Sequence, residues 1–235
     1  VSLGVADDLI NNFKIEAEKI KTIYNFLNIE EILSLAKIPI ESEYKYIFDN
    51  PVIMNIGRLE KQKGQQCLIR AFKELKKEVK DSKLVFLGIG GLESELKQIV
   101  RDLGLENEVY FLGWQKNPFK FLVNSKVFVS SSLREGLPGA ILEAMACGLP
   151  IVSTDCKSGP REILAPKTDV KKEAIDIEYE EYGILTPVLN SEEFLKKAII
   201  KVLTDNKLSE ELRKKSLQRA NDFAVSKIIK EWDSL

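Results

Sequence analysis

Short apolar runs that end on glycine, each followed by a longer stretch with helical spacing, constrain this chain more than any other feature. Pro51-Val-Ile-Met-Asn-Ile56 closes on Gly57, Lys83-Leu-Val-Phe-Leu87 on Gly88, and Val109-Tyr-Phe-Leu112 on Gly113. Val127-Phe-Val129, Ile151-Val-Ser153 and Gly183-Ile-Leu185 complete six expected strands. Between them apolar side chains recur at helical spacing, as with Leu68, Ile69, Phe72, Leu75 and Val79. Helices are expected over 64–79, 92–103, 118–123 and 139–147, and again over 191–204, 207–221 and 225–233. Strands alternating with helices in this rhythm predict βαβ units and an α/β fold, a doubly wound parallel sheet with flanking helices. Ligands of such sheets bind beyond the carboxyl ends of the strands. Gly57-Arg58, Gly88 to Gly91, Gly113-Trp114 and Ser130 to Gly136 all follow expected strands, so they should converge on one crevice.

Two regions break the rhythm. Residues 1–50 hold one expected helix, then Ile20 to Asn25, then a polar stretch, and read as a linker with the tail of another unit. Residues 166–181 are highly charged and read as an insertion or mobile loop. The chain starts at Val1 inside a pattern, which reads as a fragment of something longer.

Composition narrows the chemistry. The 235 residues are 44% hydrophobic, enough for a sizeable core, and 35 basic side chains nearly balance 36 acidic ones. That balance gives no argument for nucleic acid. No apolar run reaches the roughly 18 residues of a membrane span. The basic segments at Lys73–Lys80 and Arg213–Lys215 read as solvated helix faces. Cys67, Cys147 and Cys156 lack metal or disulfide spacing, consistent with a reduced cytoplasmic interior. There is no histidine, which excludes Ser-His-Asp and Cys-His chemistry and His-containing zinc sites within the chain. No Asp-x-Asp pair follows a strand, so no catalytic metal is expected.

The charged residues near the strand ends carry the functional signal. Arg58 and Lys63 flank the loop that leads into the first crossover helix. Cations there suit a diphosphate, Arg as a planar fork and Lys as a point charge. In isolation the two also read as solvated surface charges. Glu135 lies in a Gly/Pro-rich turn and Glu143 eight residues on, inside the following helix. Paired carboxylates suggest a glycosidase, but Gly136-Leu137-Pro138 opens a helix whose amides and dipole favour an anion, which suits a transferase better. Glu143 is placed to accept hydrogen bonds from ribose hydroxyls and Glu135 from those of a sugar. A plainer reading makes Glu135 a partner of the helix dipole and Glu143 part of a wet face. Gly88-Ile-Gly90-Gly91 reads as a phosphate loop or equally as a tight strand-to-helix turn. Trp114 and Gln115 read as nucleobase contacts or, for the tryptophan, as core. Arg161-Glu162 reads as structural or as solvated charge.

Gly57-Arg58-x4-Lys63-Gly64, Glu135-Gly-x-Pro, Glu143-Ala-Met-Ala-x-Gly-x-Pro150 and Ser158-Gly-Pro-Arg-Glu-Ile together resemble the retaining glycosyltransferases of the GT-B fold, family four, also called group 1. The resemblance runs from about Ile20 to Asp222. It implies two Rossmann-like domains with the active site between them, the C-terminal one binding the donor and the N-terminal one the acceptor. This chain resembles the C-terminal, donor-binding domain. Val1 to Phe13 resemble the end of the other one, so the acceptor half is expected to be absent and the fragment inactive alone. The expected divisions are a tail and linker at 1–22, the nucleotide-sugar-binding domain at 23–222 and a C-terminal helix at 223–235. Arg58, Lys63 and Glu135 are then the expected catalytic residues. Gly57, Gly90, Trp114, Gln115, Gly136, Leu137 and Glu143 are the expected donor contacts.

The resemblance implies transfer of a hexose or N-acetylhexosamine from a nucleotide sugar, in the first instance UDP-linked, with retention of configuration. The acceptor is expected to be a glycan or lipid-linked, and neither metal nor cofactor to be required. It implies a cytoplasmic protein, peripheral at the inner membrane face if at all, through the other domain. Other readings are a nucleotide-sugar-binding module without activity of its own, a GT-B-type epimerase, for which a histidine near the diphosphate is expected, and a pyridoxal-phosphate phosphorylase, which needs a Schiff-base lysine. Residues 166–181 exceed the short Gly-containing turn that the resemblance leads one to expect.

Overall fold

The strands form one seven-stranded sheet in the order β3-β2-β1-β4-β5-β7-β6. They are β1 (Val52–Ile56), β2 (Lys83–Leu87), β3 (Val109–Phe111), β4 (Val127–Ser130), β5 (Ile151–Thr154), β6 (Glu178–Glu180) and β7 (Gly183–Thr186). This computed structural model describes residues 2–233; Val1 of the expected tail and Ser234 and Leu235 of the expected C-terminal helix lie outside the described residues. All pairings are parallel except β6 with β7. Alternate strand residues enter opposite cores, as the two-residue period of a strand requires. Val52, Met54, Val85 and Leu87 face one side, and Ile53, Leu84 and Phe86 the other.

The helices are α1 (Leu3–Asn11), α2 (Ile29–Ala36), α3 (Lys45–Phe48), α4 (Gln65–Leu75), α5 (Glu93–Asp102), α6 (Phe119–Leu122), α7 (Gly139–Ala146), α8 (Pro160–Leu164), α9 (Ser191–Thr204), α10 (Asn206–Ala220) and α11 (Val225–Trp232). Helices α4, α5 and α9 cover one face with Leu68, Phe72, Leu96, Leu195 and Ile199, while α2, α3, α6 and α7 cover the other with Ile32, Ile47, Phe121, Ile141 and Met145. The strand order matches the expected doubly wound α/β fold. From β1 the chain winds outward through β2 and β3, then returns to β4 on the other side of β1. The β1–β4 junction is therefore the switch point at which such sheets open a crevice.

Two expectations are corrected. The polar stretch before β1 is not a bare linker: Ile32, Ile40 and Ile47 are buried in the core, and Leu27 pairs with Ala224 in an isolated parallel bridge. Residues 166–181, read as an insertion or mobile loop, are in part a strand, since they end in β6. Its sequence, Glu-Tyr-Glu, carries no apolar signal, since as an edge strand it is held by the antiparallel ladder to β7 and needs no buried face. Arg161 anchors the same segment from beneath. Its buried guanidinium donates to Asp155 and, at 3.0 Å, to Glu178 Oε2, while Ala174 N–H donates to Asp155 Oδ2 at 2.7 Å. Arg161 is therefore structural and not a solvated charge.

Candidate functional site

At the switch point β1 and β4 separate. Their ladder ends at the Met54–Phe128 pair, and beyond it the Asn55 side chain donates to the Val129 carbonyl at 2.8 Å. A cavity of about 380 Å³ opens where the strands part. The loop after β1 brings Gly57, Arg58, Gln62 and Lys63 to one wall, and the loop after β4 brings Ser130, Ser132, Glu135, Leu137, Pro138, Gly139 and Ala140 to the other.

One glycine lets these loops approach. Gly64 adopts φ +62, and a Cβ there would collide with the Ser131 carbonyl, so the turn into α4 sits directly on the β4 loop. Ser131 Oγ donates to the Lys63 carbonyl at 2.8 Å, and Leu133 N–H donates to the Gln62 carbonyl at 2.7 Å. The Lys63 stem lies over Gly57, and its ammonium reaches Glu135 Oε1 at 2.6 Å. Ser132 Oγ donates to the same oxygen at 2.6 Å. Both charged side chains are largely buried, 19% exposed for Lys63 and 10% for Glu135. The carboxylate is thus paired with the ammonium at the cavity wall.

Arg58 stands at the rim, 67% exposed and 2.9 Å from Glu60. Its carbonyl accepts from Gln65 Nε2 at 2.9 Å, which fixes the backbone beneath the exposed guanidinium. Opposite, α7 begins at Pro138 without any side-chain cap. Pro138 brings no N–H, and the Ile141 N–H bonds back to the Pro138 carbonyl, so the amides of Gly139 and Ala140 face the cavity. Free amides and the positive end of the helix dipole form an anion-binding surface across from two cations.

Glu143 lies one turn along α7, on the same helical face as Gly139 and Ala140. Burial pushes its carboxyl above the usual carboxylate range, and it has no hydrogen-bond or ion-pair partner among the described residues. The raised value means that the folded protein holds this proton more tightly than the unfolded chain does. Its effect on stability is therefore lost as pH rises through the ordinary carboxylate range to the raised value. Replacing Glu143 with Gln should raise Tm at pH 7–8 by roughly 2–4 °C, as for about 1 kcal/mol in a protein this size, and flatten that pH dependence. Thermal melts across pH check the sign.

Ile56, Gly57 and Arg58 also line a second cavity of about 270 Å³. Its walls are mainly apolar, with Leu87, Ile89, Trp114 and Pro118 beside Gly88 and Gln115. Trp114 is on that wall and 67% exposed, not in the core. Gln115 is held by donating to the Leu112 carbonyl at 2.7 Å. An exposed indole beside an apolar slot offers a stacking face for a planar base.

Of the residues singled out from sequence, Gly57, Arg58, Lys63, Trp114, Gln115, Glu135 and Leu137 line one or both cavities. Gly136 shapes the β4 turn and Glu143 lies one turn along α7, and neither of them lines a cavity. Gly90 lines neither, and a Cβ there would overlap the Leu59 backbone, so this glycine permits close packing of the β1 and β2 loops. Asn55 and Ser132 went unnoticed in the sequence. A lone amide inside an apolar strand and three consecutive serines at the end of β4 were the available signals. No group of three or more His, Cys, Asp or Glu among the described residues is arranged to hold a metal ion.

The sequence profile of the family described as glycosyl transferases group 1 matches residues 43–219. The chain belongs to this family. An uncharacterized glycosyltransferase of Methanocaldococcus jannaschii is 43% identical over 244 residues, covering 96% of this chain and 59% of that protein. The N-acetylgalactosamine-N,N'-diacetylbacillosaminyl-diphospho-undecaprenol 4-alpha-N-acetylgalactosaminyltransferase of Campylobacter jejuni is 34% identical, covering 98% of this chain and 57% of that one. The group 1 chain thus spans somewhat under three fifths of the length of these curated relatives. Among solved structures, Anabaena HepE in complex with UDP superposes with a TM-score of 0.82 at 24% identity, over 100% of this chain and 62% of that one. That similarity shows the Rossmann-like GT-B fold. The cavities lie within a domain of that fold.

Proposed function

We propose that this group 1 chain is the donor-binding lobe of a retaining glycosyltransferase. It would take a hexose or N-acetylhexosamine from a nucleotide sugar, UDP-linked, and pass it to a glycan or lipid-linked acceptor held mainly by the other lobe. One observation carries the reading. Arg58, Lys63, Glu135 and the uncapped amides of α7 meet in one cavity at the switch point, next to an apolar slot walled by Trp114.

The diphosphate would lie between the two cations and the α7 amides, with Glu143 on the ribose and Trp114 and Gln115 by the base. Glu135 and the backbone of Gly136 and Leu137 would hold the sugar. As the bond from the anomeric carbon to the phosphate oxygen breaks, negative charge builds on the nucleoside diphosphate. Arg58, Lys63 and the helix dipole stabilise it without a metal. The acceptor oxygen bonds to the anomeric carbon on the same face, and its proton passes to the leaving phosphate oxygen. Support for the donor and acceptor classes comes from relatives: HepE is known in complex with UDP, and the Campylobacter jejuni enzyme is named for a diphospho-undecaprenol-linked acceptor. No described helix is long and apolar enough to cross a membrane. A cytoplasmic, at most peripheral, location belongs to the same proposal.

A second reading, a nucleotide-sugar-binding module inactive by itself, is favoured by the share of its relatives that the chain spans. Calorimetric titration with UDP, GDP and ADP in the presence of EDTA tests the common part of both readings. Binding of UDP over the other two, unchanged by EDTA, is expected. Binding that requires a divalent ion would overturn the metal-free site, and failure of all three nucleotides to bind would overturn the donor assignment. Turnover with an acceptor separates transferase from binding module.

A further inference from the structure

The Ser158-Gly-Pro-Arg-Glu162 stretch lies outside both cavities, yet it touches the donor turn on one side and the first helix on the other. Glu162 is buried, 3% exposed. Its carboxylate accepts four hydrogen bonds: Leu3 N–H at 2.6 Å, Gly4 N–H at 3.0 Å, Gly159 N–H at 3.2 Å and the Tyr24 hydroxyl at 3.1 Å. Two of these donors are the first amides of α1, and a third precedes α8, to which Glu162 itself belongs. One carboxylate therefore satisfies the amino ends of two helices, a far stronger tie than an exposed ion pair. No group in the proposed chemistry uses it.

The backbone on each side of this carboxylate is packed too tightly to move independently. Ser158 and Gly159 adopt φ +66 and +88 in succession, a conformation that needs outside support. The bond from Gly159 N–H to Glu162 supplies it. A Cβ on Gly159 would strike Pro138 Cδ and come within 2.7 Å of the Gly136 carbonyl and 3.1 Å of Leu137 Cα. A Cβ on Gly4 would come within 2.5 Å of Ser158 Oγ. Contact is thus continuous from α1 through Ser158-Gly159 to the Gly136–Pro138 turn that presents the α7 amides.

We propose that Glu162 is a positioning residue that couples the placement of α1 to the donor turn, so that nucleotide binding and the seating of α1 strengthen each other. The inference rests on the donor reading above. A coupling of this kind is reciprocal. Whatever fixes the Gly136–Pro138 turn must tighten α1, and whatever loosens α1 must weaken nucleotide binding.

The test is UDP titration and amide hydrogen exchange on the chain and on Glu162→Gln, whose side-chain amide places donors where four donors already converge. In the unsubstituted chain, saturating UDP should slow exchange at Gly159, which packs on the donor turn, and at Leu3 and Gly4 in α1, at least several-fold. In Glu162→Gln, titrated well below its melting temperature, UDP affinity should fall roughly tenfold and the slowing at α1 should vanish. A carboxylate with a merely structural role would lower Tm and leave both readouts unchanged. Should the variant not fold, exchange on the unsubstituted chain decides alone: UDP that binds without slowing α1 overturns the coupling and leaves the donor site standing. UDP that does not bind at all overturns the donor reading, and the coupling with it.

Discussion

In the two-lobed transferase proposed above, Lys63→Ala should lower the rate of sugar transfer by about 10²–10³, the loss seen when one donor that stabilises a developing oxyanion is removed, or roughly 3–4 kcal/mol. The expectation has two parts. The ammonium is held at the cavity wall by its stem over Gly57 and by its own carbonyl, which accepts from Ser131 Oγ at 2.8 Å. It is preorganised where the leaving diphosphate gains charge, so its removal should act mostly on kcat. The second part concerns Glu135, only 10% exposed, which would lose its cation and keep the Ser132 hydroxyl as its remaining partner. A part-buried carboxylate left in that position destabilises the fold, and Tm should fall as well. Lys63→Arg keeps the charge but brings a longer, planar head. It should recover Tm more fully than rate, because a fork cannot occupy a point charge's place beside Glu135 without displacing it. Initial-rate kinetics and melting curves on both variants separate the effects. An unchanged kcat in Lys63→Ala would remove this residue from the diphosphate site.

Much of this arrangement was legible in the sequence, because it follows from local rules. Glycines after apolar runs marked the strand ends, and the winding rule for parallel sheets brought those ends to one side, so the convergence of Arg58, Lys63 and Glu135 followed from topology. What stayed hidden depends on contacts between distant segments. Strand β6 is Glu-Tyr-Glu and becomes a strand only because β7 offers a free edge. Gly90 follows a strand as a phosphate-loop glycine would, and only the Leu59 backbone lying against it shows that it serves packing. Arg161-Glu162 gave no local hint of its two roles. One residue buries its charge against Asp155, just after β5, and Glu178 in the edge strand β6, and the other against the start of a helix more than 150 residues earlier in the chain. Spacing identifies which residues share an element, but the partner of a buried charge is set by the tertiary fold.

The Lys63–Glu135 pair leads to the second large effect, and to one that runs against intuition. Glu135 Oε1 accepts from both Lys63 Nζ and Ser132 Oγ, each at 2.6 Å, so a carboxylate neutralises the cation that a diphosphate would need. A nucleotide must compete with this internal anion. Glu135→Gln leaves a side chain of the same shape that still accepts from Ser132 but no longer holds the ammonium as a counter-ion. Affinity for UDP should therefore rise, by about tenfold if the freed attraction amounts to about 1.4 kcal/mol. Transfer should fall 100-fold or more, since the same carboxylate is the proposed acceptor of the sugar's hydroxyl hydrogens and its hydrogen bonds to a charged group are the strong ones. The two changes have opposite signs, which a general loss of folding cannot produce. The gain should hold as salt is added, because the Lys63–Glu135 pair is largely buried and salt screens it little. Titration of UDP into Glu135→Gln at two ionic strengths, beside initial rates of transfer, reads all three. Weaker UDP binding in this variant would mean that Glu135 helps hold the nucleotide and does not compete with it.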